Sequence, residues 1–377
     1  MSFVFRSQFL LALLATTASS APSHLKPRCT ASSEWPGWKG IKHAFVLSVT
    51  LRHNTPIPFH SKCPSVLYVL TGTIVATAIP QQVSGQYRPR FDHTLTQPSP
   101  TKPLGNPGYP GYTSSNGPNW VDYLTVKYNA SLLQTYNLAV GGATVDSDLV
   151  KPYKPEVLSV KQQVQDVFLP TYAASSSSSS VQWTGCDSLF AFWIGINDVG
   201  NSYWQDDTPS LNRKIFAVYA DVVRRLYKDA GARNFLFLNV PPVDRSPLTV
   251  GQGATAIERE AADIAAFNAL TAALAADLAA EGKGEEKANV WTYDVHALFT
   301  EVLDRPAAYA ATAAYVNTTG FCAAYQNGTP KQDTLDPACG VPVNEYFWLN
   351  SLHPTYPMHD VVAEQVAAAL IKGPNVC

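Results

Sequence analysis

Apolar residues are concentrated in short dense runs separated by longer stretches with helical spacing. Such runs, rich in aromatic and branched residues and only five to seven residues long, are typical of strands buried on both faces of a parallel sheet. Strands are therefore predicted at His43–Ser48, Gln134–Val140, Leu189–Ile194, Asn234–Val240 and Asn289–Val295.

Helices are predicted between these runs, where apolar residues recur every three or four positions. The predicted helices are Asn119–Tyr128, Lys154–Phe168, Leu211–Ala230, Ala254–Ala280 and His359–Ile371. Strand and helix alternate along the chain, which predicts an α/β fold with a mainly parallel five-stranded sheet covered on both faces.

No internal repeat or linker divides the chain after residue 21, so one domain is expected over residues 21–377. Residues 98–117 and the serine tract 175–180 are predicted to be loops.

Polar or glycine residues follow two of the strands at the edge where open α/β sheets place ligand chemistry. Gly195-Ile196-Asn197-Asp198 follows the strand Leu189–Ile194, and Gly141-Gly142 follows the strand that ends at Val140. The side chain of Asn197 either donates to an oxygen that becomes negative during a reaction, or caps the next helix. The glycine pair is equally expected of a tight turn.

A late motif, Asn350-Ser351-Leu352-His353-Pro354-Thr355, completes a set of three short blocks. The Gly-Gly, Gly-x-Asn-Asp and His-Pro blocks, in this order, resemble those of the SGNH (GDSL-type) hydrolases. Longer phrases resemble the fungal acetylesterases of carbohydrate esterase family sixteen. These phrases are SSNGPNWVDYL (114–124), LNVPPVDRSP (238–247) and GVPVNEYFWLNSLHPTYPMHD (340–360). The likeness extends over residues 91–377 and over WPGWKGIKHAFV (35–46).

The resemblance implies an SGNH-hydrolase (flavodoxin-like) three-layer fold and a hydrolytic site without a metal or organic cofactor. It implies that His353 is the general base and that Gly142 and Asn197 stabilise an oxyanion. A core or solvated role is the alternative for His353. Most of the family has an aspartate three residues before the histidine, where this chain has Asn350. Asn350 can orient the imidazole without a charge; Asp360 and Asp294, the latter near His296, are further candidates.

The nucleophile block departs from the resemblance, which implies Gly-Asp-Ser just after the first strand. No Gly-Asp-Ser occurs in the chain. Ser48 follows the strand directly and could act as nucleophile if Gly-Asp were deleted, whereas Thr50 matches by counting. Residues 49–90 resemble nothing in the family, and Val66–Ile79 within them is apolar and β-branched. We hypothesise that a gene-prediction or splicing error replaced the stretch carrying the serine; a naturally inactive paralogue is the alternative.

The first residues of the chain predict that the protein is secreted, and secretion bears on its cysteines and glycosylation sites. Residues 1–20 read as a secretory signal peptide, with Arg6, an apolar run and small residues before a cut between Ala18 and Ala21. Secretion makes disulfides the expected state of the 6 cysteines, with Cys322–Cys339 the first expected pair and Cys29–Cys377 a second. Cys63 and Cys186 have no evident partner. Glycosylation is expected at Asn129, Asn317 and Asn327.

The net charge of -2, without long runs of one sign, argues against nucleic acid and anionic membranes as partners. The sequence thus predicts a secreted, monomeric esterase that removes acetyl groups from small carbohydrates or hemicellulose fragments, impaired in this version. Two alternatives are a non-catalytic carbohydrate-binding paralogue and a lipase or phospholipase. Sugar-stacking or packing roles are expected of four aromatic residues: Trp120, Trp193, Tyr203 and Trp204.

Overall fold

The computed structural model describes residues 37–38, 41, 43–45, 66–71, 92–107, 111, 113–173, 181 and 183–377. The predicted signal peptide, Cys29, Cys63, Ser48, Thr50, most of the 49–90 segment and the 175–180 tract lie outside these residues.

A parallel sheet runs through the centre of the molecule. Its strands are β1 (His43–Phe45), β2 (Val66–Thr71), β3 (Gln134–Asn137), β4 (Ser188–Trp193), β5 (Asn234–Leu238) and β6 (Asn289–Tyr293). Every strand pairing in it is parallel, which confirms the predicted α/β class. β4 and β5 are buried along their whole length, as expected of central strands covered on both faces.

Two strands occupy the same position in this sheet. His43 of β1 and Val66 of β2 both have Ser188 of β4 as their Cα partner, and both strands also pair with β3. One edge of a strand has hydrogen-bonding groups for a single neighbour, so the two segments are alternatives for one position. Counted by position, the sheet has five, in the flavodoxin-like order in which the first strand lies between the second and third.

Helices cover the sheet. They are α1 (Trp120–Val126), α2 (Val160–Gln162), α3 (Leu169–Tyr172), α4 (Ile196–Gly200), α5 (Thr208–Lys228), α6 (Pro247–Val250), α7 (Ala254–Ala280), α8 (Val295–Asp304) and α9 (Tyr356–Lys372). A π-helical stretch, Gln163–Phe168, joins α2 to α3. Five α-helical regions were predicted; their positions hold, but several boundaries differ.

The predicted helix Lys154–Phe168 begins six residues late, at Val160, because Ser159 caps it. The Ser159 side chain accepts from the backbone N–H of Gln162, and the Gln162 side chain accepts from the backbone N–H of Ser159. This reciprocal arrangement fixes a helix start more strongly than apolar spacing does. Residues 146–159 are consequently a loop, and this loop becomes part of the site described below.

Helix α7 is long and apolar enough to span a membrane by length and composition alone. It packs instead against α5 and β6, with Ile264, Phe267 and Ala275 buried in the main core. Glu260 and Asp263 on the same helix are also buried. The described structure therefore uses α7 as a core helix of a folded domain.

Candidate active site

The Gly-Gly turn follows β3 at the carboxyl edge of the sheet. Gly142 is buried and has φ +86°, a conformation that glycine adopts without a steric penalty. The turn is closed by the backbone N–H of Ala143, which donates to the carbonyl of Val140 at 3.0 Å. A Cβ at position 142 would overlap the ring of Tyr153. Glycine is thus required here both by the backbone conformation and by a close neighbour.

Asn197 follows β4 at the same edge. Its helix, α4, has Gly195 at the N-cap with φ +119°, so the alternative prediction that Asn197 caps this helix is wrong. The Asn197 side chain donates from Nδ2 to the carbonyl oxygen of Ala143 at 3.0 Å. An amide nitrogen carries two hydrogens, so one donor remains for a ligand after this bond. Asn197 is therefore bonded to Ala143, the residue that directly follows Gly142.

Two more residues of this region bind the same loop. Asp198 is buried, and its carboxylate accepts from the backbone N–H of Val145 at 3.0 and 3.2 Å. Asn201 donates from Nδ2 to the carbonyl of Lys151 at 3.2 Å. Burial raises the pKa of Asp198 to about 7. The α4 region thus fixes the loop after Gly142 at three points, which the sequence did not reveal because each bond joins residues about fifty positions apart.

His353 lies in the loop before α9, with its ring nitrogen Nδ1 2.8 Å from Oδ1 of Asn350. The same oxygen accepts from the backbone N–H groups of Leu352 at 3.0 Å and His353 at 2.9 Å. Because these two donors require an acceptor, the atom facing the imidazole is the amide oxygen, and Nδ1 must carry the proton. The other ring nitrogen, Nε2, is then unprotonated in the neutral ring.

Burial lowers the pKa of His353 to about 4, so the imidazole is neutral at pH 7. A neutral ring with an unprotonated Nε2 is the state that a general base needs. Asn350 orients the ring but brings no charge to stabilise the imidazolium. The catalytic role of His353 stays a prediction, and the geometry is compatible with it.

The two other carboxylates considered as partners of His353 are engaged elsewhere. Asp360 accepts from Lys127 Nζ at 2.7 and 2.8 Å and from the hydroxyl of Tyr128 at 2.8 Å. Asp294 caps α8 by accepting from the backbone N–H of Ala297 at 2.9 Å. Asp294 thus acts as a helix cap. Among the residues that the structure describes, Asn350 is the side chain bonded to His353.

Two segments support the histidine loop. The backbone N–H of Leu248, in α6 after β5, donates to the carbonyl of Ser351 at 2.8 Å. Asn350 Nδ2 contacts the carbonyl of Gln326 at 3.5 Å, inside a loop closed by the Cys322–Cys339 disulfide. That disulfide was predicted and is confirmed. The predicted Cys29–Cys377 pair falls partly outside the described residues.

A second histidine lies close to the first. His359 in α9 is 1% exposed, and neither of its ring nitrogens has a hydrogen-bond partner among the residues that the structure describes. Burial, with a further contribution from His353, lowers the pKa of His359 to about 3. The ring is therefore neutral at pH 7. Sequence reasoning included His359 in a family phrase but gave it no role.

Packing, one of the two roles expected of the four aromatic residues, is confirmed for three of them. Trp120 and Trp193 are fully buried and meet edge to face with ring centroids 5.8 Å apart, and Tyr203 is 6% exposed. These three rings pack in the core. Trp204 is 54% exposed and stays available. Tyr153, which sequence reasoning did not select, is 52% exposed and lies against Gly142.

The nucleophile cannot be placed beside these groups, because Ser48 and Thr50 lie outside the described residues. Within the described part of the chain, no cluster of three or more His, Cys, Asp or Glu side chains could hold a metal ion. Among the predicted glycosylation sites, Asn327 is exposed, and Asn129 and Asn317 are half-buried.

The Gly142 turn and Asn197 lie at the carboxyl edge of a buried parallel sheet, and the loop that carries the oriented His353 is bonded to α6, which follows β5. Residues 96–366 match the family model described as GDSL-like Lipase/Acylhydrolase, and the chain belongs to that family. It is therefore an acylhydrolase of the GDSL type, a class that cleaves ester bonds.

The chain is also similar to two individual proteins. The chain is 35% identical over 280 residues to an acetylesterase of Thermothelomyces thermophilus, covering 74% of this chain and 83% of that protein. It is 26% identical over 260 residues to the thermolabile hemolysin of Vibrio parahaemolyticus, covering 67% of this chain but only 54% of the hemolysin. The family was anticipated from the three short blocks, and the match confirms it.

Proposed function

We propose that this protein is a secreted esterase that hydrolyses acetyl esters of small carbohydrates or hemicellulose fragments by a serine–histidine mechanism. The observation that carries this proposal is the His353 imidazole, which Asn350 holds in the tautomer with Nε2 unprotonated. The 35% identical acetylesterase supports acetyl esters as the substrate class. The Cys322–Cys339 disulfide supports an oxidising, extracellular location.

The proposed reaction has two steps, transfer of the acetyl group to serine and hydrolysis of the acetyl-enzyme, and the same side chains act in both. Nε2 of His353 takes the proton of the serine hydroxyl as its oxygen attacks the ester carbonyl carbon. The carbonyl oxygen becomes negative and accepts from the Gly142 N–H and from Asn197 Nδ2. The tetrahedral intermediate expels the sugar alkoxide, which takes the proton from Nε2. A water molecule then repeats the sequence on the acetyl-enzyme, which releases acetate and regenerates the serine.

Asn350 sets a limit on this mechanism. During proton transfer the imidazole becomes positive, and an amide stabilises that charge less than a carboxylate does. Burial disfavours the imidazolium further, as the lowered pKa of His353 indicates. We therefore expect slow turnover even when a nucleophile is present.

The first prediction concerns the missing nucleophile. The chain as written should show little or no activity towards p-nitrophenyl acetate, because it lacks Gly-Asp-Ser after its first strand. A version with Gly-Asp-Ser placed after Leu47 should release p-nitrophenol, since it would supply a hydroxyl beside the His353 base. Changing His353 to Ala in the restored version should abolish that release. Equal turnover by the original and restored chains would contradict the proposal.

The origin of residues 49–90 is a separate question with its own test. Sequencing the transcript should reveal a short coding stretch for Gly-Asp-Ser if a gene-prediction or splicing error produced this version. A transcript that encodes residues 49–90 as they stand would refute that explanation.

A non-catalytic carbohydrate-binding protein is the second candidate, favoured by the absence of Gly-Asp-Ser from the sequence. A fluorophosphonate probe distinguishes the two candidates. Labelling of the chain that is lost in His353→Ala favours an enzyme, whereas retained sugar binding without labelling favours a binding protein. Faster hydrolysis of long-chain than of acetyl esters by the restored version would instead favour a lipase.

A further inference from the structure

Tyr153 has an unusual position for an aromatic residue that the sequence did not single out. Its ring edge lies against Gly142, where a Cβ would overlap ring atoms Cδ1 and Cε1. The next ring atom, Cζ, is 3.7 Å from that Cβ position, so Gly142 faces the edge of the ring and not its face. The ring therefore stands beside the backbone that is proposed to bind the oxyanion.

The loop that carries Tyr153 is fixed at its base and along its length. The backbone N–H groups of Val160 and Lys161 donate to the carbonyls of Thr144 at 2.9 Å and Val145 at 3.1 Å. Lys161 Nζ binds Asp146 at 2.9 Å, and its pKa is raised chiefly by this hydrogen bond. Asn201 holds Lys151 near the tip. A loop closed in this way presents its side chains in a fixed geometry.

The ring of Tyr153 is half exposed beside the Gly142 turn. Its side chain is 52% exposed, whereas Trp120, Trp193 and Tyr203 near the same strands are buried. Lys154 Nζ lies 5.7 Å from the ring centroid, over one face. An exposed aromatic ring beside a reaction centre can contact the apolar C–H face of a pyranose, which is the typical way that aromatic surfaces bind sugars.

We propose that Tyr153 is a specificity-determining residue that binds a pyranose ring of the acetylated carbohydrate next to the oxyanion-binding turn. This inference rests on the proposed function and names the group that recognises the sugar part of the substrate. Because Gly142 contacts the ring edge, a sugar stacked on Tyr153 lies beside the oxyanion turn, within reach of an acetyl group carried on the same ring.

The test is binding of mono-acetylated xylobiose and of unacetylated xylobiose to the full chain, measured by calorimetry. Acetate release is followed in the same samples to detect turnover. Tyr153→Leu keeps an apolar contact with Gly142 but removes the flat ring, and it should weaken binding of both sugars about tenfold. Tyr153→Phe retains the ring and should bind within about twofold of the original chain.

Leu132→Ala is the matched control, because Leu132 is 50% exposed and lies before β3, at the opposite edge of the sheet. It should leave sugar binding unchanged. Equal binding by the original chain and Tyr153→Leu would overturn the role of Tyr153 and leave the proposed function standing. If neither sugar binds and the restored version still hydrolyses p-nitrophenyl acetate, this inference is also overturned. If neither sugar binds and the restored version does not hydrolyse the ester either, the proposed function itself is refuted.

Discussion

At the scale of single residues, Asn350 is the most informative departure from a serine–histidine–acid arrangement. Its side-chain oxygen accepts from Leu352, from the His353 backbone and from the His353 ring at 3.0 Å or less. An uncharged oxygen shared by three donors orients the ring well but does little to stabilise its positive form. The lowered pKa of His353 follows from burial without a nearby counter-charge.

Asn350→Asp should therefore raise the pKa of His353. A carboxylate beside Nδ1 stabilises the imidazolium, and an opposite charge at this distance shifts a pKa by roughly 1–3 units. The measurement is an NMR titration of the His353 ring, starting from a pKa of about 4. Asp360→Asn is the control, because Asp360 binds Lys127 and Tyr128, and it should leave His353 unchanged. An unaltered His353 pKa in Asn350→Asp would mean that the Nδ1 bond is absent.

Residues in short motifs at strand ends could be selected from the sequence, and those that act through chain folding could not. Gly142 and Asn197 stand in motifs whose position after a strand indicates their edge of the sheet, and His353 stands in a short motif of the family. Tyr153 reaches Gly142 only because the chain folds back between residues 144 and 160. Conversely, the presence of an aromatic residue near a strand end did not predict whether its ring is buried, as it is in Trp193, or exposed.

At the scale of elements, apolar periodicity predicted the strands and helices, while local hydrogen bonds decided where they begin. Helix α7 has the predicted limits, Ala254–Ala280. The predicted helix Lys154–Phe168 lost its first turn to the Ser159 cap, and the strand Gln134–Val140 ends early at Asn137, before the glycine turn. Apolar spacing does not report such caps and turns, because they depend on individual side-chain bonds.

At the scale of the whole molecule, buried ionisable groups make stability depend on pH in two opposite ways. Burial raises the pKa values of Glu260 and Asp198 to about 7, from the usual values of 4.5 and 3.8. The folded state therefore binds more protons than the unfolded chain up to about pH 7, and this stabilising contribution is lost as the pH rises through 7. The lowered pKa values of His353 and His359 act oppositely, with stability lost as the pH falls below 6.5.

Between pH 6.5 and 8 each histidine raises the free energy of unfolding by only about 0.4 kcal/mol, because most of its contribution is already present at pH 6.5. The carboxyl groups therefore dominate among these four. Each should cost on the order of 1 kcal/mol across this interval. Glu260→Gln should therefore reduce the loss of stability between pH 6.5 and 8, measured by urea unfolding at each pH. Glu258→Gln, two residues earlier on the exposed side of α7, should leave the loss unchanged. An identical pH dependence in Glu260→Gln and the original chain would contradict this assignment.

The three bonds from the α4 region have a consequence for how such a site can diversify. Asn197, Asp198 and Asn201 hold Ala143, Val145 and Lys151, so the anion-facing turn and the tyrosine loop are joined to the same short helix. A change that moves α4 should therefore displace the proposed oxyanion donors and the proposed sugar contact together. On these proposals, replacing the residue at 153 changes substrate preference without changing the rate of ester cleavage, whereas remodelling the loop changes both.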